Sequence, residues 1–199
     1  MKGKLITFEG IDGAGKSTVI STLRRLEEMK DVIFTREPTE TWLGVMVERA
    51  IKSDTNELVE LFLFTADHAQ HVSDVIKPAL EERKCVISDR YSDSTYAYQG
   101  MTLQSMFQYP MDWARNIRSE WTVLPDKTIL FDIEPEIAVK RCSSRGQQIK
   151  FEKIDFLKGV RSNYLKLASE EPDRFIVIDS SKPSKELVPE VLDIILPLI

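Results

Sequence analysis

An eight-residue glycine-rich turn, Gly10-Ile11-Asp12-Gly13-Ala14-Gly15-Lys16-Ser17, sits near the start of the chain between an apolar run and an amphipathic one. It fits the pattern G-x-x-x-x-G-K-[ST] at every defined position. In that pattern backbone N–H groups wrap a polyphosphate, the lysine reaches the outer phosphates and the hydroxyl meets Mg²⁺. Lys4-Leu5-Ile6-Thr7-Phe8 reads as a buried strand, and Ser17 to Arg25 reads as the helix that opens after the loop. Strand, loop and helix therefore come in the order this mechanism requires. A plain turn joining two elements needs neither Lys16 nor the Ser17-Thr18 pair.

Apolar runs alternate with amphipathic stretches along most of the chain, which favours an α/β parallel sheet over segregated helical and strand parts. The expected strands are Lys4 to Phe8, Val32 to Thr35, Cys85 to Ser88, Thr128 to Asp132 and Phe175 to Ile178. Leu58 to Leu80 carries a long helical pattern, and Ser105 to Ser119 suggests another helix. A further helix opens near Pro135, whose fixed φ suits a first turn. Lys153 to Ser169 repeats apolar residues at Ile154, Leu157, Val160, Tyr164 and Leu167, close to the helical period. No repeat or linker interrupts the 199 residues, so one domain is expected. Polar residues gather after three strand ends, at Gly10, at Arg36-Glu37-Pro38 and at Asp89-Arg90-Tyr91, the edge where open parallel sheets bind ligands.

A net charge of −5 argues against a general nucleic-acid-binding role, while basic residues placed locally still suit small anionic substrates. Cys85 and Cys142 match no metal spacing, and Cys85, in the run Cys85-Val86-Ile87, reads as a reduced, buried thiol. The first strand begins almost at Met1, and the C-terminal apolar run Val191 to Ile199 is short and contains Pro197. No membrane association and a cytoplasmic location are the expectation.

Within the loop, Lys16 is expected on the β- and γ-phosphates of a nucleoside triphosphate and Ser17 on Mg²⁺. Asp89 follows the strand Val86-Ile87-Ser88, where a phosphate-loop enzyme places the acid that holds Mg²⁺ through water or orients the acceptor. An aspartate at a strand end is by itself more often a cap or turn former, and its coupling to Arg90 is what favours function. Arg90 and Arg36 are candidate clamps for a second phosphate, because guanidinium matches phosphate oxygens in a bidentate way. The bland alternative for either arginine is an ion pair with Glu37 or Asp89.

These residues resemble the thymidylate kinases among the phosphate-loop nucleoside monophosphate kinases. The similarity runs through Phe8-Glu9-Gly10-Ile11-Asp12-Gly13-Ala14-Gly15-Lys16-Ser17-Thr18, Thr35-Arg36-Glu37-Pro38 and Leu63-Phe64-Thr65-Ala66-Asp67. It continues in Asp89-Arg90-Tyr91 with Ser94 and Ala97-Tyr98-Gln99-Gly100, then Pro125-Asp126, Arg145-Gly146, Phe151-Glu152 and Asp179-Ser180-Ser181. The Asp-Arg-Tyr and Ala-Tyr-Gln block is far more specific than the phosphate loop.

The resemblance implies a three-layer fold, a five-stranded parallel sheet flanked by helices, with a small lid at about residues 141–152. It implies Mg²⁺-dependent transfer of the ATP γ-phosphoryl group to dTMP, giving dTDP for dTTP synthesis, by a homodimer. The ATP site would comprise Gly10 to Thr18, Arg145 and Ser181, and the acceptor site Asp12, Arg36, Pro38, Phe64, His68, Arg90, Ser94, Thr95, Tyr98 and Gln99. By analogy Asp12 would accept a hydrogen bond from the deoxyribose 3′-hydroxyl. Phe64 would stack on thymine, and Tyr98 would close over the sugar. Ser94, Thr95 and Gln99 are candidate polar contacts around the base. On composition alone Phe64 would be core, and Arg141 reads as part of a solvated loop.

The sequence departs from its relatives in three places. Many relatives carry arginine, directed at the base, where this chain has His68, a shorter donor whose charge depends on pH. Some carry a basic residue in the loop where this chain has Gly13, so the catalytic cation is expected from the lid, from Arg145 or Lys150. The lid reads Gln148-Ile149-Lys150 where many have an Asp-Arg pair, and lysine lacks the bidentate fork. The rival readings are a related kinase acting on dUMP, another nucleotide or a deoxynucleoside, and a nucleotide-dependent switch. A guanine-reading Asn/Thr-Lys-x-Asp motif is absent, and a second arginine-bearing phosphate site has no purpose in a simple switch.

Overall fold

Leu5 and Ile6 are adjacent in the first strand and neither has any exposed surface. Successive strand side chains point to opposite faces, so this strand is covered on both sides, as parallel sheets must be. The computed structural model, which describes residues 3–143 and 154–199, shows how. Leu5 and Val86 pack into one apolar cluster with Val72, Ile76, Ala79 and Leu80, while Ile6, Phe8 and Ile87 belong to a second, larger one.

The strands are β1 Lys4–Glu9, β2 Ile33–Arg36, β3 Cys85–Asp89, β4 Lys127–Asp132 and β5 Phe175–Asp179. They form a five-stranded sheet in the order β2-β3-β1-β4-β5, with every neighbouring pair parallel. Asp89 on β3 is level with Phe8 on β1 and Arg36 on β2. The chain therefore leaves β1, β2 and β3 along one edge, and the three polar clusters read from the sequence meet there.

The helices are α1 Lys16–Leu23, α2 Trp42–Ile51, α3 Glu57–His71, α4 Lys77–Glu81, α5 Ser92–Thr102, α6 Pro110–Asn116, α7 Pro135–Ser143, α8 Ile154–Glu170 and α9 Ser184–Ile195. The long helical pattern of Leu58 to Leu80 is present but broken in two. Residues Val72–Ile76 form a π-helical segment between α3 and α4. Pro78 in the first turn of α4 has no N–H and its ring crowds the preceding turn, which the wider π turn accommodates.

The helix expected over Ser105 to Ser119 is corrected. The chain is helical earlier, in α5, and again only from Pro110. Proline fits a first helical turn and not an interior, so the helix starts there. Helix α5 escaped detection because eight of its residues, among them Asp93, Thr95 and Gln99, are buried, which erases any polar face. Helices α2 and α9 were not anticipated. Cys85 is free as expected but only half-buried, and burial lifts its thiol pKa to about 11.

Candidate active site

Gly15 ends the phosphate loop with φ 97° and caps α1 without a side-chain hydrogen bond, and the first turn of α1 carries no acidic residue. The first N–H groups of the helix are thus left for an anionic ligand. Gly13 has φ 84°, and a Cβ there would run into the Ala138 carbonyl oxygen on α7, so only glycine fits. The basic residue that some relatives place here has no room in this loop.

Lys16 is buried, and its Nζ donates to the carbonyl oxygens of Gly10 and Ile11 at 2.8 and 3.2 Å. Burial, then the nearby Arg90 charge, lowers its pKa to about 8. Ser17, at the mouth of the loop, donates its hydroxyl to Asp89 Oδ2 at 3.1 Å. A hydroxyl from the first turn of α1 and a carboxylate from the end of β3 therefore stand together, a hard-oxygen pair of the kind Mg²⁺ takes beside phosphates. Among the described residues there is no cluster of three or more His, Cys, Asp or Glu side chains able to hold a metal alone.

Arg90 joins the loop to the other half of the site. It takes a left-handed backbone conformation, φ 69°, anchored by its N–H to Phe8 O at 2.9 Å. Its Nη2 donates to Asp12 Oδ1 at 2.6 Å, and its Nη1 donates to Gly10 O and Ser94 Oγ, each at 3.0 Å. Burial opposes ionisation of Asp12, but the charges of Arg90 and Lys16 outweigh it and hold the carboxyl below its usual range. Tyr98 lies under the same guanidinium, 5.3 Å from ring centre to Arg90 Cζ. Asp12, Arg90 and Tyr98 are thus brought together as the sequence suggested.

Other expected residues behave differently. Arg36 is exposed and reaches Glu48 Oε1 at 3.4 Å, not Glu37 or Asp89. Ser94 Oγ is held by Glu9 Oε2 at 2.5 Å and Tyr164 Oη at 2.8 Å as well as by Arg90, so it is part of the Arg90 network. Thr95 and Gln99 are buried on α5, Thr18 is exposed on α1, and Pro38 follows β2 half-buried. Phe64 on α3 is also half-buried, so it is not core.

His68 departs most. It has no exposed surface; its Nδ1 lies 2.7 Å from Glu37 Oε1 and its Nε2 lies 3.1 Å from Thr122 Oγ1. Both ring nitrogens are committed to the protein, and Tyr91 and Trp121 pack against the ring. Burial, ahead of the opposing Glu37 charge, holds its pKa below the ordinary histidine value. His68, expected to read the base, is here taken up by Glu37 and Thr122, partners far along the chain where a sequence reading has no sight of them.

The sequence profile of the thymidylate kinase family matches residues 8–191. The chain is 58% identical over 199 residues to a protein of Methanococcoides burtonii named "Probable thymidylate kinase", covering all of this chain and 99% of that one. A Methanosarcina mazei protein of the same name is 58% identical over 202 residues, covering all of this chain and 98% of its own length. One from Natronomonas pharaonis is 45% identical over 196 residues, covering 98% of each. The chain belongs to the thymidylate kinase family. Its activity is that of a nucleotide kinase in dTTP synthesis, an ATP:dTMP phosphotransferase.

In this family member Arg145 and Lys150, the expected lid cations, lie outside the described residues. Arg141 is not solvated as expected. From α7 it donates to the carbonyl oxygens of Ser180 and Ser181 at 2.9 and 2.8 Å, tying α7 to the turn after β5. Ser181 is exposed in that turn. Sequence reasoning also missed Glu9, Tyr164 and Glu37. Buried Glu9 accepts from the backbone N–H of Tyr91 at 2.8 Å and from Tyr164 Oη at 3.0 Å, so it fixes the turn that presents Arg90. Glu37 gathers His68 and His71 on one oxygen, and two imidazole contacts overcome burial to hold its carboxyl below the usual range. Glu9 stands beside the phosphate loop and Glu37 in the polar cluster after β2, which were the available signals; Tyr164 read only as an apolar position of its helix. Among the described residues, no helix is long and apolar enough to cross a membrane.

Proposed function

We propose that phosphoryl transfer takes place between two phosphate sites that share Asp12 and Arg90. The supporting observation is the meeting of Lys16, the Ser17–Asp89 pair and the Asp12–Arg90–Tyr98 group at one sheet edge. The loop N–H groups and Lys16 hold the outer phosphates of ATP. Arg90 holds the dTMP phosphate, with Arg36 closing on it after leaving Glu48. Asp12 accepts the 3′-hydroxyl, Tyr98 covers the sugar and Phe64 stacks on thymine. Ser17 and Asp89 hold Mg²⁺, which when bound neutralises charge across the phosphates. The acceptor phosphate is itself the nucleophile, so no general base is needed, and positioning with charge compensation supplies the acceleration.

Turnover with ATP and Mg²⁺ across dTMP, dUMP, dCMP and thymidine tests this assignment. The expected result is stoichiometric ADP and dTDP from dTMP, with thymidine inert because it brings no phosphate to Arg90. Turnover of thymidine without dTMP would remove the acceptor roles of Arg36 and Arg90.

The functional unit is a homodimer, in this reading. Trp42 and Val45 on α2 and Val59 and Phe62 on α3 are each at least half exposed, and these two helices pack together. Large apolar side chains left exposed on two helices that pack together suit a second copy of the chain. Sedimentation equilibrium is expected to give twice the chain mass, falling to a single chain in Phe62→Glu. A monomeric wild-type mass would remove the dimer.

A further inference from the structure

Glu9 ends β1 and has no exposed surface. Its Oε1 accepts from the backbone N–H groups of Tyr91 and Ser94 at 2.8 and 3.3 Å. Its Oε2 faces two hydroxyls, Ser94 Oγ at 2.5 Å and Tyr164 Oη at 3.0 Å, and these two lie 2.8 Å from each other. Among the described residues no lysine, arginine or histidine forms an ion pair with Glu9. Arg90, whose charge reaches it, pairs with Asp12 instead. A carboxylate enclosed in this way without a counter-ion is costly.

The three oxygens close a triangle, and each side is short enough to hold a proton. Ser94 and Tyr164 bring one hydroxyl proton each. With Glu9 ionised, two protons serve three sides, and however they turn, one side sets lone pair against lone pair. A third proton, on Glu9, completes the ring: Glu9 donates to Ser94, Ser94 to Tyr164, and Tyr164 back to Glu9. Ser94 Oγ still accepts from Arg90 Nη1 at 3.0 Å. The charged groups facing Glu9 are Arg90 at the end of β3, Asp93 on α5 and Lys16 at the start of α1. Asp93 is itself taken up by Arg174, through both oxygens at 2.6 and 3.0 Å. Tyr164 on α8 stays a phenol, since burial above all raises its pKa well beyond the ordinary value. Burial, then the Asp93 charge, lifts the Glu9 pKa to about 8, against its hydrogen bonds and the Arg90 charge.

We propose that Glu9 is a positioning residue that keeps its proton at neutral pH, in a ring with Ser94 and Tyr164, so that Arg90 faces one carboxylate fewer and its charge is left for the acceptor phosphate. This rests on the acceptor role read for Arg90 above. Glu9 touches no ligand and acts through Ser94 and Arg90. Its ionisation puts a negative charge behind Ser94 that competes with the dTMP phosphate for the same guanidinium.

Two measurements test this. Infrared spectra of unliganded wild-type enzyme at neutral pH are expected to show the C=O stretch of a protonated carboxylic acid, fading as pH rises past about 8 and missing from Glu9→Gln. Absence of that band at neutral pH would overturn the proposal with no variant and no nucleotide. The second measurement is dTMP affinity without ATP, by calorimetry from about pH 7 to about pH 10. Wild-type affinity is expected to fall about tenfold across that range, the equivalent of one pKa unit of coupling between Glu9 and the bound phosphate. Glu9→Gln, whose amide N–H replaces the acid proton, should lose that step, and at neutral pH it should restore the affinity that Glu9→Ala loses. Lys16 titrates in the same range but is present in all three proteins, so the difference between wild type and Glu9→Gln reports Glu9. Identical pH profiles for those two, or Glu9→Gln as weak as Glu9→Ala at neutral pH, would overturn the proposal. Failure of wild type to bind dTMP at any pH would instead strike the acceptor reading of Arg90, and the infrared band would still decide the proton on Glu9.

Discussion

Lys16→Met is expected to lower kcat for dTMP phosphorylation by about a hundredfold to a thousandfold, the range for removing one preorganised charge from a transition state. The chain should still fold, because the ammonium contributes little to folding of the unliganded protein. It is buried against two carbonyl oxygens and one like-charged neighbour, and its pKa is lowered to about 8. The sign follows from proton linkage. Between pH 8 and the ordinary lysine value of 10.5 the folded protein binds fewer protons than the unfolded chain, so stability rises with pH across that window. Below it the full penalty of burying the charge is present. Melting curves of wild type and Lys16→Met should accordingly lie furthest apart near pH 7, with the variant the more stable, and converge toward pH 10. Wild-type turnover in the variant would dismiss Lys16 from the chemistry, and a melting difference that grew with pH would contradict its buried charge.

Arg90→Lys keeps the charge and loses the fork. Arg90 spans Asp12 through Nη2 and both Gly10 and Ser94 through Nη1, a geometry an ammonium on a flexible stem does not reproduce. The expected consequence is a fall of about a hundredfold to a thousandfold in kcat/KM for dTMP, with KM for ATP changed only a few-fold. Steady-state kinetics with each substrate varied in turn separates the two. An equal loss on both substrates would place Arg90 on the donor side.

The phosphate loop was legible in the sequence and the surroundings of Arg90 and His68 much less so, and the reason is distance along the chain. Gly10 to Ser17 carries its own folding instructions: the glycines, the lysine and the flanking strand are local, so the loop was legible. The strands were legible because parallel strands buried on both faces are unbroken apolar runs. Helix α5 was not, since a helix whose polar residues are buried along with its apolar ones has no stripe to detect. His68 looked like a base reader because its neighbours in sequence place it there. What commits it instead are Glu37 and Thr122, contacts 31 and 54 residues away. Arg118 shows the converse. Nothing local marks this arginine, and only its contact with Thr65 on α3, 53 residues away, shows that it is enclosed, with one nitrogen unpartnered.

The ion pair between Asp12 and Arg90 has a bearing on which anions the enzyme tolerates. A lone guanidinium in a cleft attracts every phosphate and sulfate in the surrounding medium. Here an internal carboxylate already occupies that guanidinium at 2.6 Å, so an incoming anion that offers charge alone displaces one acid with another and gains little. A nucleotide that brings a phosphate for Arg90 and a hydroxyl for Asp12 satisfies both partners together. With the roles proposed for Asp12 and Arg90, the pair would filter out ambient inorganic anions, and weak inhibition by inorganic phosphate is the expected signature.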